Sequence, residues 1–207
     1  MRIVSGKLKG RSIITPEGRD TRPTSDRARE AMFNILAHAD WAPPIENARV
    51  IDLYAGSGAL GFEALSRGAS YCLFVETHVK ARGVIRENIE KFSQFGTTRI
   101  HRRSAVDLGK RPAGAGEKFS IAFMDPPYGY DLVDPAIREL VKGDWLTDDA
   151  IIVAEVSKDD PAPKFPDFQV LHEKSYGAAR VYMARPAREE ITSQPQEDRP
   201  PSPDEAT

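Results

Sequence analysis

Apolar and polar positions along this 207-residue chain change their period several times. Val50, Ile51 and Leu53 form a short apolar run that suits a strand buried on both faces, and from Ala59 the spacing turns helical. The alternation continues downstream. It predicts strand 49–54, helix 59–67, strand 71–76, helix 78–91 and strand 98–102, then strand 119–124, helix 131–142 and strand 149–156. Such an alternation is that of βαβ units, so the sheet should be largely parallel, a doubly wound α/β architecture. Two last strands, 168–175 and 179–185, follow each other across Tyr176-Gly177 with no helix between. They must pair antiparallel, as a C-terminal hairpin.

Upstream of the sheet the pattern is shorter. Arg2-Ile-Val4 and Arg11-Ser-Ile-Ile14 alternate across Gly6 and Gly10, as a β-hairpin or extended arm would. Two strands alone are marginal, so this arm must pack on something larger. Lys7, Lys9 and Arg11 crowd the connection, which suits either a phosphate-gripping arm or a solvated hairpin. Next, Thr24 or Ser25 can cap a helix with Asp26 in its first turn. Ala28, Ala31, Met32, Ile35 and Leu36 then make one apolar stripe, with Arg27, Glu30 and Asn34 opposite and Arg22 just ahead. Two arginines at a helix start are ordinary capping or an anion site. Trp41-Ala-Pro-Pro44 closes this lead-in, and beyond Pro186 a proline-rich acidic tail should be disordered. Three regions are expected: a basic hairpin-and-helix extension at 1–44, a main domain at 45–186, and the tail at 187–207.

Composition changes this picture in two places. The chain is 40% hydrophobic, enough for one substantial core, and its net charge of −2 is unevenly spread. Residues 1–30 hold eight Lys/Arg against four Asp/Glu, whereas residues 187–207 hold two against six. A basic arm on a neutral body suggests a polyanion partner. Cys72 is the single cysteine, inside an apolar stretch, which excludes an intrachain disulfide and fits a small core residue in a reducing compartment. The amino terminus has no signal-like apolar region and no run reaches membrane-spanning length, so a soluble cytoplasmic protein is expected.

The candidate chemistry sits at two strand ends. Gly56-x-Gly58-x-x-Gly61 follows the first main strand, so a ligand can lie against bare backbone, beyond the strands' carboxyl ends. This spelling also fits a dinucleotide turn, with Glu76 at the distance of a ribose partner. Asp52 argues otherwise, since its carboxylate would repel a pyrophosphate and attract the ammonium and sulfonium of S-adenosylmethionine. The second motif, Asp125-Pro-Pro-Tyr128, ends the strand 119–124. Its prolines stiffen the loop and remove two donors, leaving carbonyl acceptors. A base's exocyclic amine needs such a surface, because its lone pair is delocalised into the ring. With Asp125 and the Pro126 carbonyl accepting its two N–H bonds, the nitrogen is drawn toward tetrahedral geometry. Tyr128 offers a face for a flipped base, and Asp125 can take the released proton. The four histidines show no metal-ligand spacing.

The segments Arg22-Pro-Thr24, Asp26-Arg-x-Arg-Glu30, Phe33-Asn34, Asp52-Leu-Tyr-Ala-Gly-Ser-Gly-Ala-Leu-Gly61, Glu63-Ala-Leu-Ser-Arg-Gly68 and Asp125-Pro-Pro-Tyr128 resemble the bacterial 16S ribosomal RNA guanine-N2 methyltransferases of the RsmD type. The likeness runs from about residue 2 to residue 185. It implies a Rossmann-like class I methyltransferase fold with a seven-stranded sheet and S-adenosylmethionine as donor. It further implies one guanine of 16S RNA as acceptor, met in a protein-bound small-subunit assembly. By position, Gly56, Ser57 and Gly58 would lie along the methionine part of the donor, with Asp52 and Tyr54 in the same site. Glu76 would bind the ribose hydroxyls, Thr77 and His78 would flank the adenine, and Ser104-Ala105 would stand where the wider fold has an acidic adenine partner, with Asp107 slightly later or a backbone group as the alternative contact. Asp125, Pro126, Pro127 and Tyr128 are the catalytic candidates; Lys7, Lys9, Arg11, Arg22, Thr24 and Arg27 are the RNA-binding ones. A monomer without metal or membrane is expected. Rival readings are an adenine-N6 methyltransferase, a non-catalytic RNA-binding assembly factor and a nicotinamide-dependent oxidoreductase.

Overall fold

The strands legible in the sequence assemble into one seven-stranded sheet in a computed structural model that describes residues 1–16 and 26–187. Arg22, Thr24 and residues 188–207 of the acidic tail lie outside the described residues. The elements are α1 (Asp26–His38), β1 (Arg49–Leu53), α2 (Ala59–Ser66), β2 (Tyr71–Val75), α3 (Val79–Phe92), β3 (Thr98–His101), β4 (Phe119–Met124), α4 (Val133–Lys142), β5 (Leu146–Ser157), β6 (Phe168–Tyr176) and β7 (Ala179–Pro186). Strand order is β3-β2-β1-β4-β5-β7-β6. The first five are parallel, and β7 runs antiparallel to both β5 and β6, as the terminal hairpin requires.

Alternation along each buried strand supplies two apolar layers. Val50, Cys72, Phe74, Ile121, Phe123 and Val153 point to one face, covered by α1, α2 and α3. Ile51, Leu53, Val75, Ala122, Met124 and Ile152 point to the other, covered by α4. The order reverses between β1 and β4, which places a crevice at their carboxyl ends. Strand β5 starts three residues earlier than the periodicity predicts, and its pairing with β4 shifts between Phe119 and Ile121. Polar Thr147, Asp148 and Asp149 conceal that early stretch from a hydrophobic pattern.

The amino-terminal arm forms a narrow hairpin with one bridge, Arg2 to Ser12, and buries Ile3 and Ile13 in the same layer as Phe33 and Phe123. It docks along α2. The Lys7 N–H donates to the Ser66 carbonyl at 2.7 Å, and the Val4 and Ser5 N–H groups donate to the Glu63 carboxylate at 2.7 and 3.0 Å. A Cβ on Gly6 would lie 1.9 Å from the Ser66 oxygen, so only glycine permits this approach.

Helix α1 is turned relative to the expected stripe. Ala28, Met32 and Leu36 are buried as predicted, but Arg29 and Phe33 are fully buried too, whereas Ala31 and Ile35 are only half-buried. Phe33 packs on Phe123 with ring centroids 5.2 Å apart. Arg29 meets the buried Glu63 at 3.8 Å and Asp26 at 2.9 Å. This ion pair turns a charged position inward, which periodicity alone would assign to solvent.

Candidate active site at the carboxyl ends of β1 and β4

Parallel pairing sets the geometry. Leu53 is level with Met124 and Asp52 with Phe123, so the loops that leave β1 and β4 start side by side. The hydroxyl of Tyr54, in the first loop, donates to the Leu132 carbonyl at 3.1 Å and ties the two together. The glycine turn and the Asp125-Pro-Pro-Tyr128 loop therefore leave neighbouring strand ends on the same edge of the sheet.

Beneath the turn, Asp52 is almost wholly buried and its Oδ2 accepts the Gly61 N–H at 3.0 Å. A Cβ on Gly61 would come within 2.5 Å of the Cys72 sulfur and nearer still to the Phe74 ring, so helix and strand touch here. Burial pushes the Asp52 carboxyl up to about 8; the Gly61 N–H opposes that shift and the charge of Glu76 adds to it. This amends the simple electrostatic reading of Asp52. Around neutral pH the carboxyl is largely protonated, and its visible work is to hold the turn from below.

Glu76 lies at the rim. Its Oε2 accepts the Gly56 N–H at 2.8 Å and its Oε1 accepts the His78 N–H at 2.7 Å. Each oxygen keeps acceptor capacity for a hydroxyl. Thr77 and His78 are exposed beside it, and the Thr77 carbonyl is held by the Arg82 guanidinium. Across β3, Ser104 is half-buried and Ala105 buried, with the Ser104 Oγ accepting the Val106 N–H at 3.3 Å. Space above Gly56 is open, the nearest atom to a Cβ there being 3.9 Å away. This bare cradle, with an acceptor carboxylate at its edge, fits an elongated ligand carrying hydroxyls. Asn88 was not foreseen. Fully buried on α3, it donates to the Ser57 carbonyl at 3.1 Å and exchanges two bonds with Ile14, coupling the arm to the glycine turn.

In the second loop Asp125 and Tyr128 are half-buried, Pro126 is buried and Pro127 exposed. The Tyr128 hydroxyl donates to the buried Glu155 on β5 at 3.1 Å, which anchors the far end of the side chain. A cavity of about 240 Å³ opens against this loop, lined by Pro126, Tyr128, Leu132, Val156 and Asp160 among others. Asp160 accepts the Gly129 N–H at 2.9 Å. Neither Glu155 nor Asp160 emerges from periodicity. For Asp160 there was a signal: Asp160-Pro161 comes after a strand, as Asp125-Pro126 does.

The basic candidates are more scattered. Lys7, Lys9, Arg11 and Arg27 are exposed. The tip of the arm, with Lys7 and Lys9, is fastened to Ser66 at the last turn of α2, the end remote from the glycine turn. Arg11 lies over the Phe92 ring at 5.0 Å and donates to the Lys91 carbonyl. None of these three borders the crevice.

A largely parallel sheet with a terminal antiparallel strand pair and a glycine turn at its switch point defines the Rossmann-like class I methyltransferase fold. Solved structures agree. The Escherichia coli protein yhhF is 31% identical, with TM-score 0.75 over 90% of this chain and 97% of that one. A ribosomal protein L11 methylase from Lactobacillus delbrueckii, at 15% identity and TM-score 0.60 over 84% of this chain and 82% of that one, shares the fold. The chain belongs to the family described as conserved hypothetical protein 95, whose family model matches residues 1–185. Among its relatives, the ribosomal RNA small subunit methyltransferase D of Haemophilus influenzae is 33% identical over 178 residues, spanning 86% of this chain and 89% of that protein. The protein of the same name from Escherichia coli is 34% identical over 184 residues, 88% of this chain and 87% of its own.

Proposed function

We propose that this protein is an S-adenosylmethionine-dependent methyltransferase that modifies the N2 amine of one guanine in 16S ribosomal RNA, within a protein-bound small subunit in the cytoplasm. The observation that carries the reading is the adjacency of the two loops: the Asp125 loop and the glycine turn leave β4 and β1 level with each other, and Tyr54 ties them together. The names borne by relatives of matching length support the ribosomal substrate.

When bound, the donor supplies an electrophilic methyl carbon on a cationic sulfur. Gly56 and Ser57 would offer it backbone, and Glu76 would accept from its ribose hydroxyls. Asp52 stabilises its positive charge in proportion to its own ionisation. On the acceptor side, Asp125 and the Pro126 carbonyl hold the amine's two hydrogens and aim its lone pair at the methyl carbon. As the amine took the methyl group from the donor sulfur, Asp125 or water would accept the surplus proton. Tyr128, braced by Glu155, stacks on the base.

Two measurements test this. Asp125→Ala should abolish methyl transfer to undermethylated small subunits while donor binding, followed by calorimetry, persists; full activity would refute the mechanism. Nucleoside mass spectrometry of the same reactions should yield N2-methylguanine. N6-methyladenine instead would replace this reading with the adenine rival.

A further inference from the structure

The cavity beside the Asp125 loop raises the question of which purine it accepts. At about 240 Å³ it falls below the roughly 300–1,000 Å³ of sites for drug-sized ligands, which suits a single base. Its walls are mostly proline, tyrosine and aliphatic, with two carboxylates, Asp131 and Asp160. Asp131 is exposed. Asp160 is half-buried and held by the Gly129 N–H, so it stands directly across from the residue after Tyr128.

The segment bearing Asp160 is anchored along its length. Its own N–H donates to the Ser157 carbonyl at 3.2 Å, and the Lys158 N–H donates to Ala178 at 2.9 Å. Arg180 donates to the Lys158 carbonyl at 2.8 Å. Pro161 and Pro163 stiffen the next stretch of chain, and buried Asp134 accepts the N–H groups of Lys164 and Phe165. A carboxylate mounted this way is preorganised, because it cannot swing aside to relieve an unfavourable contact. It presents about four lone-pair sites, of which Gly129 occupies one.

We propose that Asp160 determines purine identity at this site by accepting the N1–H of guanine; the inference rests on the guanine-N2 reading above. On guanine, N1–H adjoins the 2-amino group on one edge of the ring. With that amine held by Asp125 and Pro126, N1–H is the next donor along the cavity wall. Adenine places a lone pair at N1, so the same carboxylate would face it acceptor to acceptor. Sites built around a substrate N–H reject analogues that lack it far more strongly than apolar pockets reject shape.

The test uses small subunits reconstituted with 16S RNA ligated from a transcript and a synthetic segment. The segment carries guanine or 2-aminopurine at the position that mass mapping of ribonuclease fragments identifies as methylated. 2-Aminopurine keeps the reacting amine but has no hydrogen on N1. The wild-type protein should prefer guanine by at least about tenfold in kcat/KM. Asp160→Asn, whose amide can donate to a bare N1, should lower the guanine rate by about tenfold or more and collapse that preference, while Asp160→Glu keeps it. An equal loss on both substrates would make Asp160 a structural residue and overturn the proposal. So would a wild-type preference below about twofold, whether or not the Asn variant folds. Failure of the wild-type protein on the guanine segment, or methylation at adenine, would instead sink the guanine-N2 reading itself.

Discussion

Asp52 shows how much one buried carboxyl can govern. Its pKa is raised to about 8, chiefly by burial. A group raised this far above its unfolded value of 3.8 contributes stability that is full below that value and is lost as pH rises through about 8. The thermal unfolding temperature of the wild-type protein should therefore fall between about pH 4 and 8 and level off above that, and Asp52→Asn should flatten the fall. A cationic donor beside Asp52 favours the ionised form, so donor binding should release a proton near neutral pH and tighten as pH rises. Calorimetry in buffers of different ionisation enthalpy reads this directly, and a binding heat independent of buffer would rule it out. Tyr128 divides into ring and hydroxyl. Tyr128→Ala should weaken productive RNA binding by about 1–3 kcal/mol. Tyr128→Phe keeps the ring, loses the bond to Glu155, and should cost less in KM. Asp52 was legible from its place before the glycines; its protonation was not, because that depends on what packs around it.

At the scale of elements, the decisive contact is the one between α1, α2 and the arm. Glu63 is fully buried and accepts from Val4, Ser5 and Arg67, with Arg29 at 3.8 Å. Glu63→Ala leaves the fully buried Arg29 with Asp26 as its remaining carboxylate and frees two backbone donors, so it should destabilise the protein by about 1–3 kcal/mol in chemical denaturation. A loss below about 1 kcal/mol would mean that the arm docks through Ile3 and Ile13 alone. Helix positions were readable from spacing, as was the hairpin of β6 and β7 from the missing helix between them. The inward face of α1 was not. Its orientation is chosen by Glu63 on another helix, and a one-dimensional pattern carries no trace of such a partner.

At the scale of the described molecule, the lysines at the tip of the arm and the glycine turn lie at opposite ends of α2. Lys7 and Lys9 sit at the far end of α2 from the glycine turn, about 12 Å away at 1.5 Å per residue. An RNA gripped there must extend along the arm before reaching the crevice. Replacing Lys7 and Lys9 with Ala should flatten the salt dependence of RNA binding by about 0.7–0.9 per lost phosphate contact and leave donor affinity unchanged. An unaltered salt slope would remove the arm from the interface. By itself, the order of apolar runs determined a parallel sheet with a terminal hairpin, and two short motifs at strand ends marked where the proposed chemistry would lie. Both are local properties, since periodicity and turn chemistry act over a few residues. Tertiary structure alone decided the inward Arg29, the neutral Asp52, the Glu155 brace on Tyr128 and the carboxylate of Asp160 beside it. Each depends on residues dozens of positions apart in sequence meeting in a medium of low dielectric, where burial and partner together set charge and orientation.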